Sequence, residues 1–280
     1  MAEHWNTVEK GNPFNIKKIL RDLFDYKDLI VLFFKRDIKS SYQQTILGPL
    51  WLIIQPVFTS IVFTIVFGNI AKIPTPANIS PFAFYLLGLS FWNYFADCFH
   101  KITGTFVTNS SVFGKVYFPR LTVPVSVLLS GLFRFGIQFA LFLAVFSYGF
   151  LFQGYSVQIN MTILMLPVYL LLLSLFGLGL GLIISSFTTK YRDLTMLVGF
   201  GVQLLMYATP IAYPFFTIRC TSVFYKILLC NPLTGIIEGC KYAFTSNGLF
   251  SPKLIATDSI CVVLVLILGI YIFSQVERKF

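Results

Sequence analysis

Charge is scarce in this sequence. Only 11% of its 280 residues are Asp, Glu, Lys or Arg, where a soluble domain carries about 25%. Hydrophobic residues make up 56% and aromatics 18%. That balance excludes a disordered chain and argues against a soluble enzyme. Histidine is nearly missing, with His4 and His100 far apart. There is no H-E-x-x-H or Cys-x-x-Cys spacing, so no metal site is expected. The phosphate loop G-x-x-x-x-G-K-[ST] is lacking too: Gly114-Lys115 has neither the earlier glycine nor the hydroxyl residue. The chain therefore does not hydrolyse ATP by that route, and no cofactor is expected on it. A membrane glycan polymerase or acyltransferase would need a histidine or acid cluster at a membrane face, and none is present. Ionisable residues inside apolar stretches are too few for a proton antiporter or for a channel with a charged pore ring. Such a chain suits transport powered by a partner.

Long apolar runs are what the sequence does have. A bilayer span needs about 20 mostly apolar residues. Six stretches qualify: 50–70, 82–103, 121–150, 161–187, 194–217 and 254–274. Three of them carry no charge. Asp97 and Asp258 lie near expected span ends, where water can reach them. Arg134 lies well inside the third span and must face a cavity or have a partner. Both readings stay open. Gly177 and Gly181 form a GxxxG pair that allows close helix packing.

The formal net charge of +10 reports sidedness in such a chain, and no nucleic-acid partner is expected. If the N-terminus is cytoplasmic, residues 1–49 place eight Lys and Arg inside. Lys101, Lys115, Arg120, Lys190, Arg192, Arg278 and Lys279 join them. Fifteen then lie inside, against Lys72, Arg219, Lys226, Lys241 and Lys253 outside. The positive-inside rule therefore predicts both termini in the cytoplasm. No signal peptide is expected, because the first 49 residues are too charged and too long before an apolar run. Within them, Ile16–Ile38 alternates apolar residues with Lys17, Lys18, Arg21, Asp22, Asp25 and Asp28 at helical spacing. A basic amphipathic helix of this kind lies in the membrane interface. Val223–Leu249 is part-polar and follows Pro210 and Pro214, so short external or re-entrant helices are expected there. Cys220, Cys230 and Cys240 would lie outside, where a disulfide is possible. The expected fold is an all-α polytopic membrane protein with six transmembrane helices. It comprises a cytoplasmic segment, 1–49, carrying an interface helix, and one six-span domain, 50–280.

Three patterns then converge. Arg36-Asp37-Ile38-Lys39-Ser40-Ser41-Tyr42-Gln43-Gln44-Thr45-Ile46-Leu47-Gly48-Pro49-Leu50-Trp51 precedes Gln55-Pro56 at the first span. Lys115-Val116-Tyr117-Phe118-Pro119-Arg120 joins spans two and three, and Lys190-Tyr191-Arg192-Asp193-Leu194 joins spans four and five. In order and position, nearly the whole chain resembles the membrane subunit of type-2 ABC exporters of polysaccharide and polyol phosphate. That family includes O-antigen, capsule and teichoic-acid permeases.

The resemblance implies a homodimeric permease in the cytoplasmic (inner) membrane. Two separate ATPase subunits would bind the ATP and magnesium, and a polyprenyl-pyrophosphate-linked glycan would be the substrate. Ser110–Arg120 would be the coupling segment, with Lys115, Val116, Tyr117, Phe118, Pro119 and Arg120 meeting the ATPase. The amphipathic helix would be a gate. The chemistry of the side chains fits this reading. Arg36 and Lys39 sit at the inner headgroup level, where an arginine fork can grip a diphosphate, and Tyr42 adds a hydroxyl. Positive-inside anchoring alone would also explain the two cations. Trp51, Phe58, Tyr207, Tyr213, Phe215 and Phe216 offer aromatic platforms to sugar rings along a glycan channel, and packing or lipid contact is the alternative for each. A drug or lipid exporter of the same superfamily is the runner-up, disfavoured by the Arg36–Trp51 pattern.

Overall fold

The computed structural model describes residues 16–43, 46–115, 118–152, 154–155, 160–188, 191, 193–218 and 222–277. Among the described residues every regular element is helical. Two amphipathic helices come first, α1 (Ile16–Asp25) and α2 (Lys27–Tyr42). The expected single interface helix is thus divided at Tyr26. The division is slight, because Tyr26 N–H still bonds the Asp22 carbonyl at 3.0 Å and Ile30 N–H bonds that of Tyr26 at 3.1 Å. A turn through Gly48, whose φ of +48° is left-handed, leads into the first apolar helix. Glycine suits this position because it precedes Pro49 and carries no Cβ to clash.

The helix α3 (Trp51–Phe63) continues as a wider π turn over Thr64–Ile70. Then follow α4 (Pro81–Thr103), the four-residue helices α5 (Thr105–Thr108) and α6 (Ser110–Phe113), and α7 (Thr122–Phe152). A 3₁₀ turn at Met161–Met165 opens α8 (Leu166–Thr188). The remainder is α9 (Leu194–Tyr207), α10 (Val223–Cys230), α11 (Pro232–Thr245) and α12 (Pro252–Glu277).

Among the described residues four segments are long and apolar enough to cross a membrane: Gly48–Ile70, Thr122–Phe152, Met161–Thr188 and Pro252–Val276. The helix α4 has 23 residues, about 34 Å of rise, and so the length to cross. It is the hub of the bundle, packed by α3, α7, α8 and α9. Because protein covers most of its surface, it tolerates Asn93, Asp97 and Lys101. Ser80 caps it by accepting from Ala83 N–H at 3.2 Å, and Pro81 supplies a first-turn residue that needs no donor partner.

The expected fifth span, 194–217, departs from its reading. Regular helix stops at Tyr207 after 14 residues, about 21 Å. Pro210, with no N–H to donate, lies in the turn that follows.

Aromatic rings fill the core around α4. Phe95 stacks on Phe99 and on Phe176 with centroids 5.8 and 5.7 Å apart, and Phe91 meets Phe135 at 4.9 Å. The glycines of α8 pack within the chain. A Cβ on Gly179 would lie 2.9 Å from the backbone of Leu266, and Gly269 of α12 faces Gly179 in return. The two short helices expected within Val223–Leu249 are α10 and α11. Cys230 is exposed at the end of α10 and Cys240 is buried on α11; both are free. They point to different environments, so no disulfide joins them, and Cys220 lies outside the described residues.

Candidate functional site

Two clusters of side chains lie where the expected cytoplasmic segments meet the bundle, and a third closes the opposite end.

The first cluster joins α2 to the segment between α4 and α7. Phe33 and Phe118 are both buried, with ring centroids 5.6 Å apart. Phe113 packs on Phe118 at 5.6 Å, and Val123 completes the patch. Phe34 makes an edge contact to Phe133 of α7 at 6.3 Å. The apolar stripe read from Ile16–Ile38 thus covers protein as well as facing outwards. Arg36 lies 4.7 Å above the Phe33 ring, donates to the Asn109 side-chain oxygen at 3.3 Å and pairs with Asp37 at 3.4 Å. Lys39, one turn on, is exposed. Tyr42 ends α2, and its side chain lies outside the described residues.

Of the six residues expected to meet an ATPase, Val116 and Tyr117 lie outside the described residues. Lys115 is exposed. Phe118 is turned inward onto Phe33, so its contact is with α2; Pro119 is half-buried. Arg120 lies over Phe113 and Phe106 at 5.6 and 5.9 Å. Lys190 and Arg192 also fall outside the described residues.

The second cluster is a polar cavity of about 380 Å³ between α2, α3, α4 and α7. Asp97 stands at its centre. It is bonded by Arg134, and by Lys101 at 3.2 Å, both through the same carboxylate oxygen. The second Arg134 nitrogen reaches Ser41 at the end of α2, 3.4 Å away. Asn93 and Gln138 face each other at 3.5 Å across the same space. Asp97 keeps 36% of its side-chain surface exposed, and its partner is the arginine within the third span, which both faces the cavity and is paired. Trp51, Gln55 and Pro56 form the α3 wall. Pro56 has no N–H to offer the Leu52 carbonyl, and Leu52 also lines the cavity.

Of the six aromatic residues expected to face a glycan, Trp51 lines this cavity. Phe58 is exposed on α3, Tyr207 is exposed at the end of α9, and Phe216 is exposed in the 3₁₀ turn Phe215–Thr217. Tyr213 is half-buried and donates to the Tyr207 carbonyl at 3.0 Å. Phe215 is buried against Tyr225 at 4.9 Å and offers no open face in this conformation. Within one chain, α3 and α9 each pack on α4.

The third cluster escaped the sequence reading. Glu238 and Lys241 of α11 form a buried pair at 3.4 Å, with 2% and 1% of their side-chain surface exposed. Lys241 also donates to the Pro210 carbonyl and lies 4.5 Å over the Phe84 ring. Glu238 accepts from the backbone of Leu249 and Phe215. Burial pushes the Glu238 carboxyl up and the Lys241 ammonium down, and each charge opposes the other's shift. The pair ties the turn after α9 and the turn after α11 to α4. Asp258, expected near water, is likewise buried, its side chain against Gly235 of α11. The position of Asp258 near an expected span end does not show this burial, and i,i+3 spacing on α11 is the sequence signal of the Glu238–Lys241 pair.

The ABC-2 type transporter family model matches residues 28–245, from α2 through α11. Three curated relatives are each named O-antigen export system permease protein RfbA. One from Klebsiella pneumoniae is 27% identical over 90% of this chain and 93% of its own length. Another, from Myxococcus xanthus, is 26% identical over 88% and 92%, and a second Klebsiella pneumoniae protein is 25% identical over 90% and 93%. The match covers nearly all of α2, the polar cavity and the buried pair alike: the chain belongs to the ABC-2 type transporter family, as a multi-pass permease of the cytoplasmic membrane.

Proposed function

We propose that this chain is the transmembrane subunit of an ATP-driven exporter of a polyprenyl-pyrophosphate-linked polysaccharide of O-antigen type. Six spans, with both termini cytoplasmic, carry it across the membrane, α4 and the shorter α9 being the second and fifth. Two copies form the path and two separate ATPase subunits bind the ATP and magnesium. The relatives' role in O-antigen export supports the substrate class.

The observation that carries the reading is the contact between α2 and the α4–α7 segment. Arg36 and Lys39 are the cations at the inner headgroup level, and Phe33 on the same helix packs against Phe118 beside the expected ATPase contact. A push on the segment at Lys115 therefore reaches the headgroup helix through two rings in van der Waals contact. Interfaces of this kind move as packed units. Arg36 and Lys39 are three residues apart on one helical face, so one diphosphate spans both.

The test is substrate-stimulated ATPase activity of the purified permease–ATPase complex. Lipid-linked glycan should stimulate wild type, and Lys39→Gln and Arg36→Lys should blunt the response. Asn109→Ala separates the roles of Arg36, because it removes the tether and keeps the guanidinium. If Asn109→Ala reproduces Arg36→Lys, the arginine holds the segment and does not grip the diphosphate. If lipid-linked glycan leaves wild-type activity unchanged while an amphiphilic drug or free lipid raises it, the chain belongs to an exporter of those molecules.

A further inference from the structure

We infer that the polar cavity between α2, α3, α4 and α7 is a saccharide-binding subsite, taking one or two pyranose rings of the glycan next to its lipid pyrophosphate. The origin of the sugar rests on the exporter reading above; the chemistry of the cavity does not. Its volume, about 380 Å³, lies within the range of about 300–1,000 Å³ usual for small-molecule sites.

Its walls carry the groups that bind polyols. Asn93, Gln138 and Gln55 present amides, each with donors and an acceptor, which match neighbouring hydroxyls. Trp51, about half exposed, supplies an apolar ring face at the mouth for the C–H side of a pyranose.

Charge decides between a sugar and a second phosphate site. Arg134 and Lys101 both engage one oxygen of Asp97, and they converge there from α7 and α4. An anion would have to displace Asp97 from both cations. A neutral hydroxyl need displace nothing: it donates to the other Asp97 oxygen or accepts from a spare guanidinium N–H, while the ion pairs stay closed.

Position agrees with chemistry. Ser41 of α2 lines the cavity two residues after Lys39, and Arg134 bonds it. Ser41 lies within two turns of both cations along α2, so a diphosphate held at Arg36 and Lys39 is level with the cavity along the helix axis, and the first sugars of the attached chain reach round α2 to it.

The test uses the full chain with its ATPase partner in nanodiscs. Equilibrium binding is measured for radiolabelled free hexoses, N-acetylhexosamines and deoxyhexoses, with inorganic pyrophosphate as competitor. At least one sugar should bind saturably. Asn93→Leu and Gln138→Leu should each raise its Kd about three- to tenfold, the worth of a hydrogen bond. Trp51→Leu should raise it about tenfold. Ile53→Leu, on α3 away from the cavity, should bind as wild type and show that the helix tolerates substitution. Pyrophosphate should not compete. Absence of binding by every sugar, wild-type affinity in the three cavity variants, or competition by pyrophosphate would each overturn the inference. Stimulation of the ATPase by lipid-linked glycan is read in parallel. Without it in wild type the exporter reading fails, while sugar binding still decides the cavity. With it undiminished in the cavity variants, only the cavity assignment fails.

Discussion

Replacing Lys241 with methionine should be among the most damaging single changes in the chain. The Lys241 side chain is 1% exposed and its ammonium sits 3.4 Å from Glu238, whose side chain is 2% exposed. Methionine keeps the length and the apolar stem but removes the charge. Glu238 is then left as a buried carboxylate with backbone donors only, and the Pro210 carbonyl loses its ammonium donor. Breaking a buried pair from one side costs about 3–5 kcal/mol. Loss of the cation over Phe84 adds about 0.5–2 kcal/mol. Removing both charges is milder, because no charge is stranded: Glu238→Gln with Lys241→Met should recover about 2 kcal/mol or more relative to Lys241→Met. Denaturant titration of the purified chain in detergent, followed by tryptophan fluorescence, reads Lys241→Met, Glu238→Gln, the double variant and wild type as one cycle. A Lys241→Met loss under about 1 kcal/mol, or a double variant no more stable than that single one, would refute the argument that this pair clamps the turn after α9 to α4.

Phe118→Leu should lower export per ATP hydrolysed while the complex with the ATPase still forms, because it trims the contact to Phe33; proteoliposome transport measured alongside phosphate release checks this. Gly179→Val should prevent stable folding, because a Cβ at that position lies 2.9 Å from the backbone of Leu266, and the readout is loss of a monodisperse peak on gel filtration. Cysteines placed at positions 6 and 279 should resist membrane-impermeant maleimide in intact cells, and labelling of either from outside would refute the cytoplasmic termini.

The membrane class, the amphipathic start, the short helices after the prolines and the apolar helices all follow from patterns that run along the chain, and those patterns are read one residue after another. The helix α9 shows where that reading stops. Apolar composition continues past Tyr207, so hydropathy extended the span to residue 217. What ends the helix is a turn at Pro210, held by an ammonium from α11 that lies 31 positions later. The candidate site was legible in the same uneven way. Arg134 stood out as an ion inside an apolar run. Its partner Asp97 is 37 positions away, and the pairing depends on how α4 and α7 face each other. Phe118 is a docking residue only in what the resemblance of its Lys115–Arg120 segment implies. Nothing in the local sequence indicates that Phe33, 85 residues earlier, covers it. Single-residue chemistry survives translation into sequence, whereas a pair on two elements needs the packing angle between them.

Both clusters at the expected cytoplasmic face share α2, and that sharing has a mechanical consequence. The helix is tied at Phe33 to the α4–α7 segment, at Arg36 to Asn109, and at Ser41 to Arg134. Its last two turns therefore border the segment expected to meet the ATPase on one side and the polar cavity on the other. The ties differ in strength. The Phe33–Phe118 contact is buried and apolar and resists separation. The Ser41 bond is a single long contact of 3.4 Å at an exposed hydroxyl, and a net hydrogen bond is worth only about 0.5–1.5 kcal/mol. A displacement entering through Phe118 thus carries the helix with it and first breaks the weak tie at its far end. That end is where the helix meets the cavity, so a displacement of the segment at Phe118 acts there on how Arg134 and Asp97 are covered.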